Sequence, residues 1–276
     1  MKQNIFKGSF SQVEGAVSES FAKNSINMVK RFKTIKAIAF IVFFIGLGSY
    51  AYYGLSVFMI NNMDRGTIPL DVNNEFIPVF SSIWYMHIQA MLVLVAALAA
   101  YIYREKNNIK GVFIYNVFLT IAMLLFFTFS FKLAQLIVNN FYLRMTYTIL
   151  FVISYLYVFF RSYQNAKEMV YGTKKKRSEF VEWFSQNRKN VTSILFGVGV
   201  LYYLTKVIFS EANDLETKIM GSLIDFAPLA VCLASLLFLY FNSVAIRSYY
   251  LYKYMDKFRQ KFGVAEAEWY GQKYKP

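Results

Sequence analysis

Long apolar runs separated by short polar breaks dominate this chain. Residues 37–60, 76–103, 111–137, 141–160, 191–210 and 219–246 are six such runs, rich in aliphatic and aromatic side chains and each at least 20 residues long. A helix rising 1.5 Å per residue needs about 20 residues to cross a hydrocarbon core of roughly 30 Å. The pattern therefore predicts an all-α membrane protein with six transmembrane helices, arranged as three hairpins. A signal peptide would place its apolar core close behind a short basic start. Here 36 residues precede an apolar run of 24, so the first run reads as an uncleaved span.

The polar segments divide the chain further. Residues 1–36 form a leader in which Val13, Val17, Phe21, Ile26, Val29 and Phe32 recur at near-helical spacing. That spacing predicts an amphipathic helix lying on a membrane surface. Residues 37–160 carry the first four spans, 161–190 form a basic loop, 191–246 carry the last two spans, and 247–276 form a basic tail. The breaks between spans are short: 61–75, the basic turn 104–110, Asn139-Asn140, and the acidic turn 211–217.

Charge then orients the spans. The leader, the turn after the second span, the basic loop and the tail hold 7, 3, 8 and 7 Lys/Arg, which is 25 of the 30 in the chain. Lys and Arg beside a span resist translocation, so these four segments face the cytoplasm and both termini lie inside. The other five are Arg65, Lys132, Arg144, Lys206 and Lys218, within spans or on the outer side. The net charge of +14 sits beside apolar runs. That placement points to anionic lipid headgroups and away from nucleic acid. Cys232 is the one cysteine and falls inside an apolar run, which excludes an internal disulfide and gives it a space-filling role.

Two exits share a pattern. Arg161-Ser-Tyr precedes Glu182-Trp183-Phe184, and Arg247-Ser-Tyr precedes Glu268-Trp269-Tyr270, with 22 residues from Arg to Trp in both. Arg161, Trp183, Arg247 and Trp269 are thus candidate interfacial anchors on hairpins of one plan. The alternative is coincidence, since Trp and Tyr collect at membrane interfaces anyway.

Ionisable groups inside spans are costly in hydrocarbon, and each is a candidate functional residue. Lys206 and Asp225 lie at matching depth on consecutive spans, where pairing would lessen the cost of both charges; the alternative is a snorkelling Lys206 and an Asp225 facing water. Lys132 and Arg144 flank the Asn139-Asn140 turn and either snorkel or face inward beside Lys206. Pro228, three residues after Asp225, is a potential kink. His87 is the only histidine; such a residue is more often hydrogen-bonded across helices than catalytic. No nucleotide loop or nucleophile elbow is present, and no set of zinc ligands converges. The sequence predicts no cofactor and no enzyme activity. Small residues at Gly46, Gly48, Ser49 and Ala51, at Ala96, Ala97, Ala99 and Ala100, and at Ser193 and Gly197 suit close helix contacts, within the chain or with another membrane protein.

In its short loops, basic inner face and Lys/Asn/Tyr/Phe-rich composition, the chain resembles small polytopic proteins encoded beside secreted toxins in Gram-positive bacteria. Some of these resemble immunity proteins. The resemblance is one of class, with no motif behind it, and it implies a partner in the membrane: a toxin or a co-immunity subunit. Two other readings stand beside it, a small transporter or channel using Asp225, Lys206 and His87, and an accessory subunit of a membrane secretion complex.

The charge distribution generates a test of topology. In a Cys232→Ser background, Asn73→Cys and Asn213→Cys should react with an impermeant thiol reagent in intact cells. Ser178→Cys and Gln272→Cys should react only after the membrane is opened. Outside labelling of Ser178→Cys would reverse the orientation.

Overall fold

The computed structural model describes residues 4–32, 83–136, 138, 141–172 and 226–274, with residues 39, 43, 50, 51, 53, 54, 187, 190, 193, 197, 200, 204 and 208. Among the described residues there are helices and no strands. They are α1 (Phe10–Val13), α2 (Glu19–Lys30), α3 (Ile83–Tyr103), α4 (Asn108–Leu136), α5 (Phe141–Tyr171), α6 (Ala227–Ser235), α7 (Phe238–Lys253), α8 (Met255–Phe262) and α9 (Glu266–Trp269). Four stretches are long and apolar enough to cross a membrane: α3, α4, α5, and α6 with α7 taken together. They correspond to the second, third, fourth and sixth apolar runs. The first and fifth lie outside the described residues except at scattered positions.

The helices outrun the apolar segments that predict them. At 31 residues α5 is about 46 Å long, so it overhangs a 30 Å core by roughly three turns. Residues 161–171 of the basic loop are its continuation. Helix α7 likewise runs to Lys253, past the end of the sixth run. Pro228 falls in the first turn of α6, where a missing N–H is tolerated; residues 219–225 of the same run lie outside the described residues. The local change of pitch comes later, at Leu236 and Leu237, whose N–H groups reach back three residues to Leu233 and Ala234.

At one end of the bundle the overhanging helices meet both ends of the chain. Val13, Val17, Ile26, Val29 and Phe32 are at most 3% exposed. They share a core with Ala97 and Ala100 of α3, Ile109 and Val112 of α4, Ala166 and Val170 of α5, Tyr250 and Leu251 of α7, and Phe258 and Trp269 of the tail. The leader's apolar stripe is therefore covered by protein, which corrects the expectation that it lies against lipid. Helix α2 forms where the periodicity places it. Ser18 caps its start by accepting from the Phe21 N–H at 3.2 Å, and Glu19 and Lys30 sit at the ends that suit the helix dipole. We call this layer the cap.

Further along the bundle the packing is aromatic. Phe127, Val158 and Phe238 pack together in the middle. Beyond them Phe131, Val138, Tyr147 and Cys232 form one cluster and Tyr85, Met86, Phe129 and Leu133 another. Burial of Cys232 agrees with a space-filling role. Ala96, Ala97, Ala99 and Ala100 are all buried, and α3 packs most extensively on α4. This small-residue face is thus used within the chain. The opposite side of α3 carries Trp84, Ile88, Met91, Leu94, Leu98 and Ile102, all exposed and three or four residues apart. From Trp84 to Ile102 this stripe extends about 27 Å, close to the thickness of a hydrocarbon core.

The segment before α1, which turns at Ile5 and Phe6, is held by hydroxyls. Tyr250, fully buried, accepts from the Gly8 N–H at 3.2 Å and donates to the Ile5 carbonyl. Tyr171, Tyr249 and Tyr254 donate to the carbonyls of Asn4, Phe6 and Gly8 at 2.7, 3.1 and 2.5 Å. Lys253 Nζ adds a bond to the Phe6 carbonyl at 2.9 Å. A Cβ on Gly8 would lie 2.5 Å from Val170 Cγ1 and 2.9 Å from the Tyr250 hydroxyl, so no side chain fits.

Tyr250→Phe leaves a buried donor and acceptor without partners, a loss of about 1–3 kcal/mol. The variant should unfold at lower temperature in detergent and lose residues 4–32 to limited proteolysis sooner than the wild type. Gly8→Ala should do the same through steric displacement. Unchanged proteolysis in both would show that the cap does not depend on this ladder.

Candidate functional site

The candidate residues of the spans resolve into separate local environments. His87 Nδ1 is hydrogen-bonded to the Tyr50 hydroxyl of the first apolar run, and the Trp84 ring meets its edge at 5.4 Å. This is a cross-helix bond of the kind expected for a lone histidine in a span. Arg144 is half-buried and donates from Nε to the Val138 carbonyl at 2.7 Å, closing the turn between α4 and α5. Gln135 reaches across the same turn to the Arg144 carbonyl and the Thr148 hydroxyl, at 3.2 and 2.5 Å. Lys132 is half-buried on α4 and engaged as well. Lys206 and Asp225 lie outside the described residues.

The four anchors also differ from one another. Arg161, half-buried, lies 3.6 Å from Glu168 and 3.4 Å from Gln164 along its own helix. Arg247 is half-buried near the cap, its guanidinium 5.9 Å from the Phe21 ring. Trp269 is fully buried among cap residues, beside Phe262 at 6.1 Å. Its ring packs the tail onto the cap core. Trp183 lies outside the described residues, so the second half of the proposed repeat has no counterpart to set beside it.

What the sequence did not single out is the junction between the turn after α3 and the tail. Asn108 begins α4, and its N–H, which has no partner inside the helix, donates to the Tyr270 carbonyl at 2.7 Å. The Lys273 N–H donates to the Glu105 carbonyl at 2.8 Å. Between these two bonds stands Gly271, at φ 113°, where a Cβ would come within 2.5 Å of the Glu105 oxygen. Lys273 Nζ lies 2.6 Å from the Glu105 carboxylate. That hydrogen bond, with the ammonium's charge, holds the Glu105 carboxyl below its ordinary value of 4.5. Burial raises the Tyr270 phenol, and the bond it donates to Asp256 raises it further.

Arg104 completes the junction. Its Nη1 donates to the Phe32 carbonyl at 2.6 Å, joining the end of the leader to the end of α3. The guanidinium lies over the Tyr101 ring at 4.2 Å, with Nη2 3.6 Å from Glu105. Lys30, Arg104, Glu105, Ala267, Gly271 and Gln272 line a cavity of about 380 Å³.

These features define, among the described residues, an all-helical bundle with four stretches long and apolar enough to cross a membrane, closed at one end by the leader and the tail. No protein-family model matches the chain, and neither a curated protein nor a solved structure matches it.

The Glu105–Lys273 pair carries a pH dependence. A carboxyl with a lowered value in the folded state contributes stability that is whole above its ordinary value, 4.5, and is lost as pH falls through the lowered one. Glu105→Gln should lower the melting temperature slightly at pH 7, as an exposed pair allows. The difference from wild type should close as the pH is taken below 4. A difference that persists in acid would assign the effect to the side chain's packing and not its charge.

Proposed function

We propose that this chain is a non-enzymatic polytopic membrane protein of the immunity type, acting by binding a toxin or a second membrane protein in the bilayer. The observation that supports binding over transport is the use of polar groups along the described spans. Asn116 donates to Ser248 at 2.7 Å, Thr120 to the Phe241 carbonyl at 3.2 Å, and Thr128 pairs with Tyr155 at 3.0 Å. With the Gln135, Arg144 and His87 bonds, they tie helix to helix. Groups consumed in this way hold a bundle together and leave its outer surface for recognition. The outer surface is extensive: α5 exposes Phe141, Tyr142, Met145, Ile149, Leu156 and Phe160 along its length.

The same reading takes six spans with both termini inside. The end of the leader, the end of α3, the start of α4 and the ends of α5 and α7 all meet at the cap. The chain therefore starts from the cap at Phe32 and from Tyr171, and in each case begins its next described span, α3 or α6, at the far end. In the proposed arrangement an odd number of crossings falls in 33–82 and again in 173–225, and we assign one each to the first and fifth apolar runs. The basic composition of the cap segments favours the cytoplasmic side.

Two experiments test the proposal. Deleting the gene from a toxin-producing host should sensitise it to its own membrane-active toxin, and restoring the chain should restore resistance. Lys206→Met and Asp225→Asn should each lower the melting temperature in detergent by several degrees, and the double variant should recover part of the loss, because one unpaired charge in a membrane costs more than none. An intact fold in Asp225→Asn, together with loss of an ion-dependent flux in proteoliposomes, would replace binding with transport.

A further inference from the structure

The cavity between α2, the turn after α3 and the tail has a chemistry that the proposed function does not use. Its volume of about 380 Å³ is within the range of small-ligand sites. Two cations line it. Lys30 stands in the last turn of α2, half-buried, with no carboxylate of the described residues paired with it. Arg104 has five N–H donors, of which one is bonded to the Phe32 carbonyl and another faces Glu105. Tyr101 beneath its face and the carbonyl at one corner hold the guanidinium in place. A planar fork held in this way suits the tetrahedral oxygens of a phosphate. Among the described residues of the wall Glu105 is the one acid, and it is paired with Lys273 at 2.6 Å from outside the lining. The described wall thus holds two cations and one carboxylate that already has a partner.

Depth selects the anion further. Ile102, the last exposed residue of the apolar stripe on α3, is two positions before Arg104. On the spanning arrangement proposed above, this sets the cavity at headgroup depth, where phosphate is the anion most abundant. The tail covers it from the other side through Ala267, Gly271 and Gln272.

We propose that this cavity binds one phosphate group, held by Lys30 and Arg104, from the headgroup of an anionic lipid or from a small phosphate ester. Full-length protein, stripped of lipid in an uncharged detergent, is melted with added phosphatidylglycerol, with inorganic phosphate, and with chloride at matched ionic strength. A ligand that binds the folded state raises the melting temperature. The expected result is a rise with phosphatidylglycerol or phosphate and none with chloride. A rise with phosphate alone names a soluble ester as the source, and a rise confined to the lipid names the headgroup. Lys30→Gln, which breaks no described bond, should weaken apparent affinity about tenfold, the value of one charge-assisted contact. Ala267→Trp, at an exposed position, should fill the cavity and abolish the rise. No rise in the wild type, or an equal rise in both variants, overturns the proposal.

Discussion

The cap depends on a five-residue segment, Asn4 to Gly8, that belongs to no helix and no sheet. Asn4 to Gly8 offer backbone groups that neither helix nor sheet satisfies, and a buried polar group without a partner costs free energy comparable to a lost hydrogen bond. Tyrosines 171, 249, 250 and 254 satisfy these groups while their rings fill the core. One residue type supplies both the apolar packing and the polar partner. The rest of the cap follows from this fixation: α1 and α2 are delivered onto α4 and α5, and the tail closes over them. Lys261 adds to it from α8, bonding the Glu14 carbonyl at 3.2 Å.

The spans were legible because hydrocarbon imposes a length and a composition that few other environments share. Their ends were less so. Residues 161–171 and 247–253 carry charge, and charge after an apolar run reads as the start of a loop, yet backbone hydrogen bonds continue through them because neighbouring helices overhang to the same height. The leader shows a different limit. Its 3.6-residue periodicity identifies which face of α2 is apolar, and Ala22, Ile26 and Val29 are buried accordingly, but periodicity carries no information on whether lipid or protein meets that face. Trp269 meets the same limit. An aromatic near a basic exit fits an interfacial belt and a protein core equally well, and only three-dimensional closure of the tail distinguishes them.

Among the candidate site residues, Arg144 and His87 were identifiable as unusual but not as partners, because their bonds go to a backbone carbonyl and to a tyrosine 37 positions away. The cavity at Arg104 had one visible signal, the arginine closing the second span. Lys30 and Glu105 carried none, since they acquire their setting from a tail about 240 and about 160 residues away in sequence. Gly271 was likewise silent: a glycine near the end of a chain has no pattern until something approaches it to within a hydrogen-bond length.

Joining both ends of the chain has a consequence in time. Gly8 and Tyr250 are 242 residues apart, and a ribosome adding about 5–20 residues per second needs roughly 12–48 s to make that interval. For that period the leader's stripe of Val13, Val17, Ile26 and Val29 has only the cap-facing parts of α3, α4 and α5 to rest on, and Tyr250, Phe258 and Trp269, which complete its core, are still to come. Helices α3, α4 and α5 can pack on one another before the tail exists, whereas the cap closes only at the end, so a chain cut short before Tyr250 lacks the hydroxyl that ties Ile5 and Gly8 to the bundle.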